Sequence, residues 1–320
     1  MVRYNGFQSY MMYKAESSYG SEQTADTLLG RNVSWSVTQD NTLIEERGIG
    51  DTRDFKAVHY GPFRGSGTMT FEVINFDFFQ HIVGSRTGAG TLSSPYVYTG
   101  YSSGGAYEDL ASFTLEQAYD SSTDTNFTFI GCVVQSATLS VREGGLLTCS
   151  VNFIFQTSKI DTTIQSYTAS TTAAWNYIQA SFERSNTKIN YISDVNITIN
   201  NNLKELREIN SRLITDVKAG NRNYSWSFNA VFDTGQLTTL YADFYGQAAT
   251  SGPLLTGTMS ITGVTLDLEL TGPTNRAVTI SLANSVVGVI TNSVGGADQW
   301  VMANFSGVSK TMTITEQVSE

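Results

Sequence analysis

The chain has 320 residues, a formal net charge of −10 and no run of basic residues, which excludes a protein that grips nucleic acid through its phosphates. Charged residues make up only 15%, below the roughly 25% of an average domain. Aromatic residues reach 12%, and Ser, Thr, Asn and Gly fill the rest, a mixture that favours strands and turns over exposed helices. The length suits two domains, each large enough to bury its own core. No stretch approaches the ~20 apolar residues of a membrane span, so no membrane insertion by this chain is expected. The polar start Met1–Gly6 lacks a signal-peptide core.

In chain order, Val33, Trp35 and Val37 alternate with polar residues and predict a strand. The charged stretch Glu45-Glu46-Arg47-Gly48-Ile49-Gly50 follows, then a second alternating strand, Thr68-Met69-Thr70-Phe71. Phe76, Phe79 and Val83 form the stripe of a short helix, with Asn75 as N-cap and Gly84 as its stop. Residues 85–109 are rich in Gly, Ser and Tyr and read as a long loop. Tyr96, Tyr98, Tyr101 and Tyr107 make it a candidate contact surface, because Tyr is enriched at interfaces.

Cys132–Gln156 predicts a hairpin around Glu143-Gly144-Gly145. Its register sets Val141 opposite Leu147, Leu139 opposite Cys149, Ala137 opposite Val151 and Val133 opposite Phe155. Val133, Leu139, Val141, Leu147, Cys149, Val151, Phe153 and Phe155 then share an apolar face, and Ser136, Thr138, Ser140, Thr148, Ser150 and Asn152 a polar one. Cys132 lies at the far end and on the other face from Cys149, too distant for a disulfide, so two free thiols are expected. Residues 158–172, rich in Ser and Thr, read as an exposed linker.

After it the pattern repeats. Val195, Ile197 and Ile199 match Val33, Trp35 and Val37; Glu205, Arg207 and Ile209 match Glu45, Arg47 and Ile49; Ser225-Trp226-Ser227-Phe228 matches Thr68–Phe71. A helix with Leu237, Leu240, Tyr241 and Phe244 on one face follows, with Asp233 and Gln236 as a capping box and Gly246 at the left-handed end position. The expected organisation is mainly β: two tandem β-sandwich or barrel domains at 1–157 and 173–320, each with a short flanking helix. A closing hairpin within Ala277–Glu320 matches Cys132–Gln156 only loosely.

The two histidines, His59 and His81, lack Cys or Asp at ligand spacing. The Gly-rich Gly61–Gly67 precedes a strand, whereas a phosphate cradle needs a helix N-terminus. No nucleophile elbow, Walker loop or dinucleotide fingerprint occurs. Neighbouring acids such as Glu45 and Glu46, or Glu108 and Asp109, do not supply the cross-cleft spacing of a glycosidase. The reading is a protein without a catalytic centre, metal or cofactor. Glu45, Glu46, Arg47, Glu205 and Arg207 are instead candidate intersubunit ion-pair residues.

The assembled pattern resembles the tail tube proteins of long-tailed phages and related archaeal viruses. The resemblance rests on Tyr13–Gly20, on Glu45–Gly50 followed by Gly65–Phe71, on the helix with Phe78-Phe79, and on Phe129–Ser136 through Phe155. It implies two packed β-sheets flanked by a helix, self-assembly into stacked rings and, for a duplicated domain, homotrimers with six-fold pseudo-symmetry. Implied partners are other copies of the chain, the tape measure protein, the tail terminator and distal tail proteins, and viral DNA that passes the lumen without specific binding. The implied location is the virion tail, assembled in the host cytoplasm. Lumen-facing positions are expected to be Ser, Thr, Asn and acidic residues. Two other readings remain open: a distal tail or baseplate hub protein with the same domain, and a receptor- or glycan-binding β-sandwich using Tyr96–Tyr107.

Overall fold

A computed structural model of the chain describes residues 9–48, 54–100, 110–119, 125–161, 170–231, 234–247, 249–253, 264–273, 275–294 and 300–318. It is mainly β, as the composition predicts. The first half runs through β1 (Ser9–Ala15), β2 (Thr27–Leu28), β3 (Arg31–Asp40), β4 (Leu43–Glu46), β5 (Ala57–Tyr60) and β6 (Arg64–Glu72). A 3-10 turn over Asp77–Phe79 leads into the one-turn helix α1 (Gln80–Val83), then β7 (Ser85–Thr87), β8 (Tyr96–Thr99), β9 (Phe113–Tyr119), β10 (Thr125–Arg142), β11 (Thr148–Phe155) and β12 (Thr157–Asp161). The second half has β13 (Ala180–Arg184), β14 (Thr187–Lys188), β15 (Ile192–Asn200), β16 (Lys204–Leu206), β17 (Asp216–Lys218) and β18 (Asn223–Val231). Helix α2 (Thr234–Tyr245) precedes β19 (Val264–Thr271), β20 (Ala277–Val294) and β21 (Val301–Gln317).

All strand pairings among the described residues are antiparallel. In the first half β1 pairs with β2 and β9, β9 with β10, β10 with β11, β11 with β6, and β6 with β3. In the second, β13 pairs with β14 and β19, β19 with β20, β20 with β21, β21 with β18, and β18 with β15. The hairpins β4–β5 and β16–β17 stand apart as two-stranded sheets. Two seams join the halves. β10 pairs with β15 from Ser136 opposite Asn200 to Arg142 opposite Asp194, and β21 pairs with β8 from Thr313 opposite Thr99 to Glu316 opposite Tyr96. A continuous sheet therefore runs β3-β6-β11-β10-β15-β18-β21-β20.

One large core fills both halves, with Phe71, Phe78, Phe113, Phe153, Trp226, Phe228 and Phe305 among its aromatic members. Burial of such rings is the main stabilising term. Phe228 stacks on Phe305 at 5.1 Å, and Phe78 meets Phe113 edge-on at 5.2 Å. In α1, His81, Ile82 and Val83 are buried, and Gly84, at φ +133°, closes the helix by donating its N–H to Gln80 O (3.0 Å). The first cap is Phe76 rather than Asn75, because the chain enters by the 3-10 turn. In α2, Leu240 is buried while Tyr241 and Phe244 pack against the core, and Gly246 takes φ +72° as predicted. Asp233 lies outside the described residues, as do the side chains of Gln236 and Leu237.

The hairpin register holds near the turn: Leu139 lies opposite Cys149, and Ala137 opposite Val151. A bulge between Val134 and Ser136 then shifts the pairing, so Val133 faces Ile154, not Phe155. The shift turns Val133 and Ile154 out of the main core into a second cluster with Leu110, Ile214 and Val217. It also places Cys132 in the same core as Cys149 rather than on the opposite face, and both thiols are free. Beyond Ser140 the β10–β11 ladder opens: Leu147 N–H donates to Trp175 O (2.8 Å), and Val141 keeps its pairing with Val195 on the other edge of β10.

Two segments read as irregular are partly strand. Residues 157–161 form β12 against Asn126–Ile130 of β10, so ordered structure continues into the expected linker. Within the expected loop 85–109, β7 and β8 form a hairpin whose inner strand joins β21.

Candidate functional site: polar sheet face and free strand edges

Alternation along the continuous sheet gives it two unlike faces. On the core side of β15, Val195, Ile197 and Ile199 are fully buried. The opposite face is built mostly from Ser, Thr and Asn, joined by hydrogen bonds across the strands, with Val289, Met302 and Val308 among them on β20 and β21. Thr138 and Thr198 hydroxyls lie 3.0 Å apart, Asn152 Nδ2 donates to Ser136 Oγ (2.9 Å), and Asn304 Nδ2 donates to Asn229 Oδ1 (2.8 Å). Asn229 in turn donates to Asp194 Oδ1 (2.7 Å). By the same alternation, the charges on this face are Asp40, Glu72 and Asp194 against Arg64, Arg142 and Lys310. The face is polar and nearly balanced in charge, less acidic than the net charge suggested.

Both ends of the sheet are open among the described residues. β3 pairs only with β6, and the Val286–Val294 stretch of β20 only with β21. The open ends show in the burial. Val33, Trp35 and Val37 are half-buried, whereas Val195, Ile197 and Ile199, their register equivalents in β15, lie under β10 at 3%, 0% and 0% exposure. Ile290 of β20 is likewise half-buried, and its neighbour Val289 is 55% exposed. Unpaired edges of this length usually lead to association unless something covers them.

The candidate ion pairs divide between the halves. Arg207 donates to Glu205 Oε2 (2.9 Å) and also reaches across to Phe63 O (2.9 Å), so it bridges the two halves of one chain. Arg47 donates to Glu45 Oε2 (2.8 Å) and lies over the Phe55 ring, while Glu46 meets His59 at 3.0 Å; all of these are exposed. Such exposed pairs contribute little to stability.

Among the tyrosines, Tyr98 is a correction. It is fully buried and donates its hydroxyl to Glu316 Oε2 (2.9 Å), an internal anchor rather than a contact surface. Tyr96 is half-buried, with the Arg86 guanidinium 4.7 Å from its ring centre. Tyr101 and Tyr107 lie outside the described residues. Glu316 was missed by sequence reasoning. Its signal was alternation, since Met312, Ile314 and Glu316 share a buried face. Phe76 N–H also donates to its carboxylate (3.1 Å), and burial raises its pKa.

His81 is buried among Tyr13, Phe78 and Phe113, with Nδ1 2.9 Å from Ala111 O, and burial lowers its pKa to about 4. This is a packing role. Among the described residues no cluster of three His, Cys, Asp or Glu is placed to hold a metal, and no helix is long and apolar enough to cross a membrane.

Comparison with curated proteins finds no match. A family model, however, described as phage tail tube protein, matches residues 6–308, nearly the whole chain and both halves of the sheet. The chain therefore belongs to the phage tail tube protein family.

Proposed function

We propose that this chain self-assembles into rings of three copies, which stack into the tube of a virion tail and form a conduit for the genome. The observation that carries the reading is the β10–β15 seam. The two halves share one order of strand pairing, which supports descent by duplication. In that scheme β3 stands where β15 stands, and β20 where β10 stands. The seam inside each chain is then a template for the contact between chains: β20 of one copy pairs with β3 of the next. Three chains give six similar units, and the last edge meets the first, the closure that separates a ring from an open filament.

The shared register gives specific partners. Leu139 faces Ile197 within the chain, so Ile290 faces Trp35 of the next copy. Ser140 faces Asn196, so Thr291 faces Ser34. The polar face lines the lumen. Its hydroxyls and amides already bond one another, and its few charges balance, so DNA meets no array of cations to hold it. Other tail proteins, among them the tape measure inside the lumen and the terminator and distal tail proteins at the ends, are the partners that fit this role.

The test is a double variant, Ser34→Cys with Thr291→Cys, assembled and then oxidised. Denaturing non-reducing electrophoresis should show covalent dimers and trimers that neither single variant gives. Rings without cross-links would overturn the register, and a chain that stays monomeric at high concentration would overturn the tube reading.

A further inference from the structure

The chain enters the second half through residues 170–179, and the last of these are held tightly to the first half. Trp175 is fully buried. Its N–H donates to Val73 O (3.1 Å), its carbonyl accepts from Leu147 N–H (2.8 Å), and Tyr177 N–H donates to Gly145 O (3.0 Å). Asn176 pairs with Leu146 as a single β-bridge. The segment thus lies as a short extra strand on the end of the β10–β11 hairpin. A 3-10 turn over Tyr177–Gln179 follows at once, closed by a capping box. Asn176 Oδ1 accepts from Gln179 N–H (3.2 Å), and Gln179 Oε1 accepts from Asn176 N–H (3.1 Å). β13 starts at the next residue.

The second half grips the same segment. Arg276, in the turn between β19 and β20, holds its guanidinium 3.9 Å from the centre of the Trp175 ring. It donates to Ala173 O (3.0 Å) and also to Ile74 O of the first half. Gly272 lies against the ring, where an added Cβ would stand 3.1 Å from Cζ3. The Tyr177 hydroxyl donates to Ile192 O at the start of β15. We infer that residues 173–179, gripped by Arg276, form a brace that fixes the angle between the two halves and thereby the number of copies that closes a ring.

This inference rests on the ring reading. The β10–β15 seam is a line of backbone bonds about which the halves can swing, because strand pairs tolerate a range of twist. The brace runs off that line. It leaves the polar sheet at the β10–β11 turn and enters β13, which faces that sheet across the core, with Phe182 on Phe228 at 5.2 Å. A swing about the seam would draw Trp175 away from Arg276 and strain its bonds to Val73 and Leu147. In a closed ring the angles of all joints add up to one full turn. The joint between copies is a single strand pair and yields, so the stiff joint inside each chain selects the copy number. A fourth copy would need the braced joints to open, or the yielding joints to absorb the whole change.

The experiment uses the full chain with Arg276→Lys, which keeps the charge and loses the planar fork that bonds two carbonyls while stacking, and separately with Trp175→Ala. Rings are sized by native mass spectrometry and negative-stain microscopy, and thermal unfolding of the dilute chain reports the fold. Wild type is expected to give a single copy number. Each variant, still unfolding cooperatively, is expected to lose that uniformity and give open arcs and rings of mixed copy number. Uniform three-copy rings from Arg276→Lys would overturn the brace while leaving the ring reading in place. A folded variant that does not associate at all would also overturn it, since the edges β3 and β20 are untouched. Should Trp175→Ala fail to fold, Arg276→Lys decides alone. Wild-type chain that forms no rings would remove the ring reading, and this inference with it.

Discussion

Val195 and Val33 are register equivalents in different surroundings, so one substitution made at both sites isolates what a neighbouring strand contributes. Val195 is 3% exposed, set between Val141 of β10 and Phe228 of β18. Val195→Ala removes two carbons, each contributing about 0.8 kcal/mol of transfer free energy. It also leaves a cavity closed on both sides, which brings the cost to roughly 2–3 kcal/mol. Val33 lacks a strand on its outer side, and Val33→Ala should cost about 1 kcal/mol in the free chain. At roughly 2.1 cal/mol/K per residue, the unfolding entropy of a chain this long is about 0.7 kcal/mol/K. The midpoint should therefore fall by about 3–4 °C for Val195→Ala and about 1–2 °C for Val33→Ala, read by circular dichroism below the assembly threshold. In the ring proposed above, β20 of the next copy covers Val33, so the two costs should converge and Val33→Ala should weaken assembly. Equal losses in the dilute chain, or assembly indifferent to Val33→Ala, would refute the equivalence of β3 and β15.

Acid should destabilise the fold through His81. Its folded pKa, about 4, lies below the 6.5 of an unfolded histidine, so the folded state binds fewer protons and stability falls as pH drops from 6.5 towards 4. The loss is on the order of 3 kcal/mol by pH 4. Glu316 acts in the opposite sense, since its raised pKa favours the fold as it protonates. The measurement is therefore the difference between wild type and His81→Asn, and parallel pH profiles would exclude His81 as the cause. Cys132 and Cys149 are buried, and burial raises both pKa values. A disulfide-exchange reagent should find no reactive thiol in the native chain and two in denaturant; rapid native labelling would contradict the core placement.

The parts of this molecule legible in sequence are those set by local pattern. Val33, Trp35 and Val37 announce β3, Gly144 at φ +71° marks the hairpin turn, and Gly246 stops α2. Glu45, Arg47, Glu205 and Arg207 read in sequence as intersubunit candidates; within the chain they pair inside their own hairpins, and only the structure separates the docked pair from the exposed one. What local pattern cannot carry is pairing across long stretches of chain. Tyr96–Thr99 lies in a Gly- and Ser-rich segment and becomes a strand because β21 pairs with it more than two hundred residues later. β12 was hidden in the same way, since a polar segment such as Thr157–Asp161 has no core-facing stripe and is held by the backbone ladder of β10. The bulge at Val134–Ser136 depends on which side of the sheet has room for Val133, and that room is made by Ile214 and Val217 of the other half.

The double seam bears on how a ring could close. A single strand pair is a soft joint, because neighbouring strands tolerate a wide range of twist. A small angular error at each joint would then add up around the ring and leave it open. Within this chain the joint is fastened on two sides. β10–β15 joins the polar sheet, β8–β21 joins the halves a second time, and the Tyr98–Glu316 hydrogen bond is buried where β8 meets β21. A charged group held in a low-dielectric site is costly unless its partners stay in place, so Glu316 penalises any rotation that parts it from Tyr98 and Phe76. Between copies, the proposed pairing of β20 with β3 supplies one such fastening, so on that reading the contact between chains is the softer joint, and assembly should be lost under conditions in which the single chain stays folded.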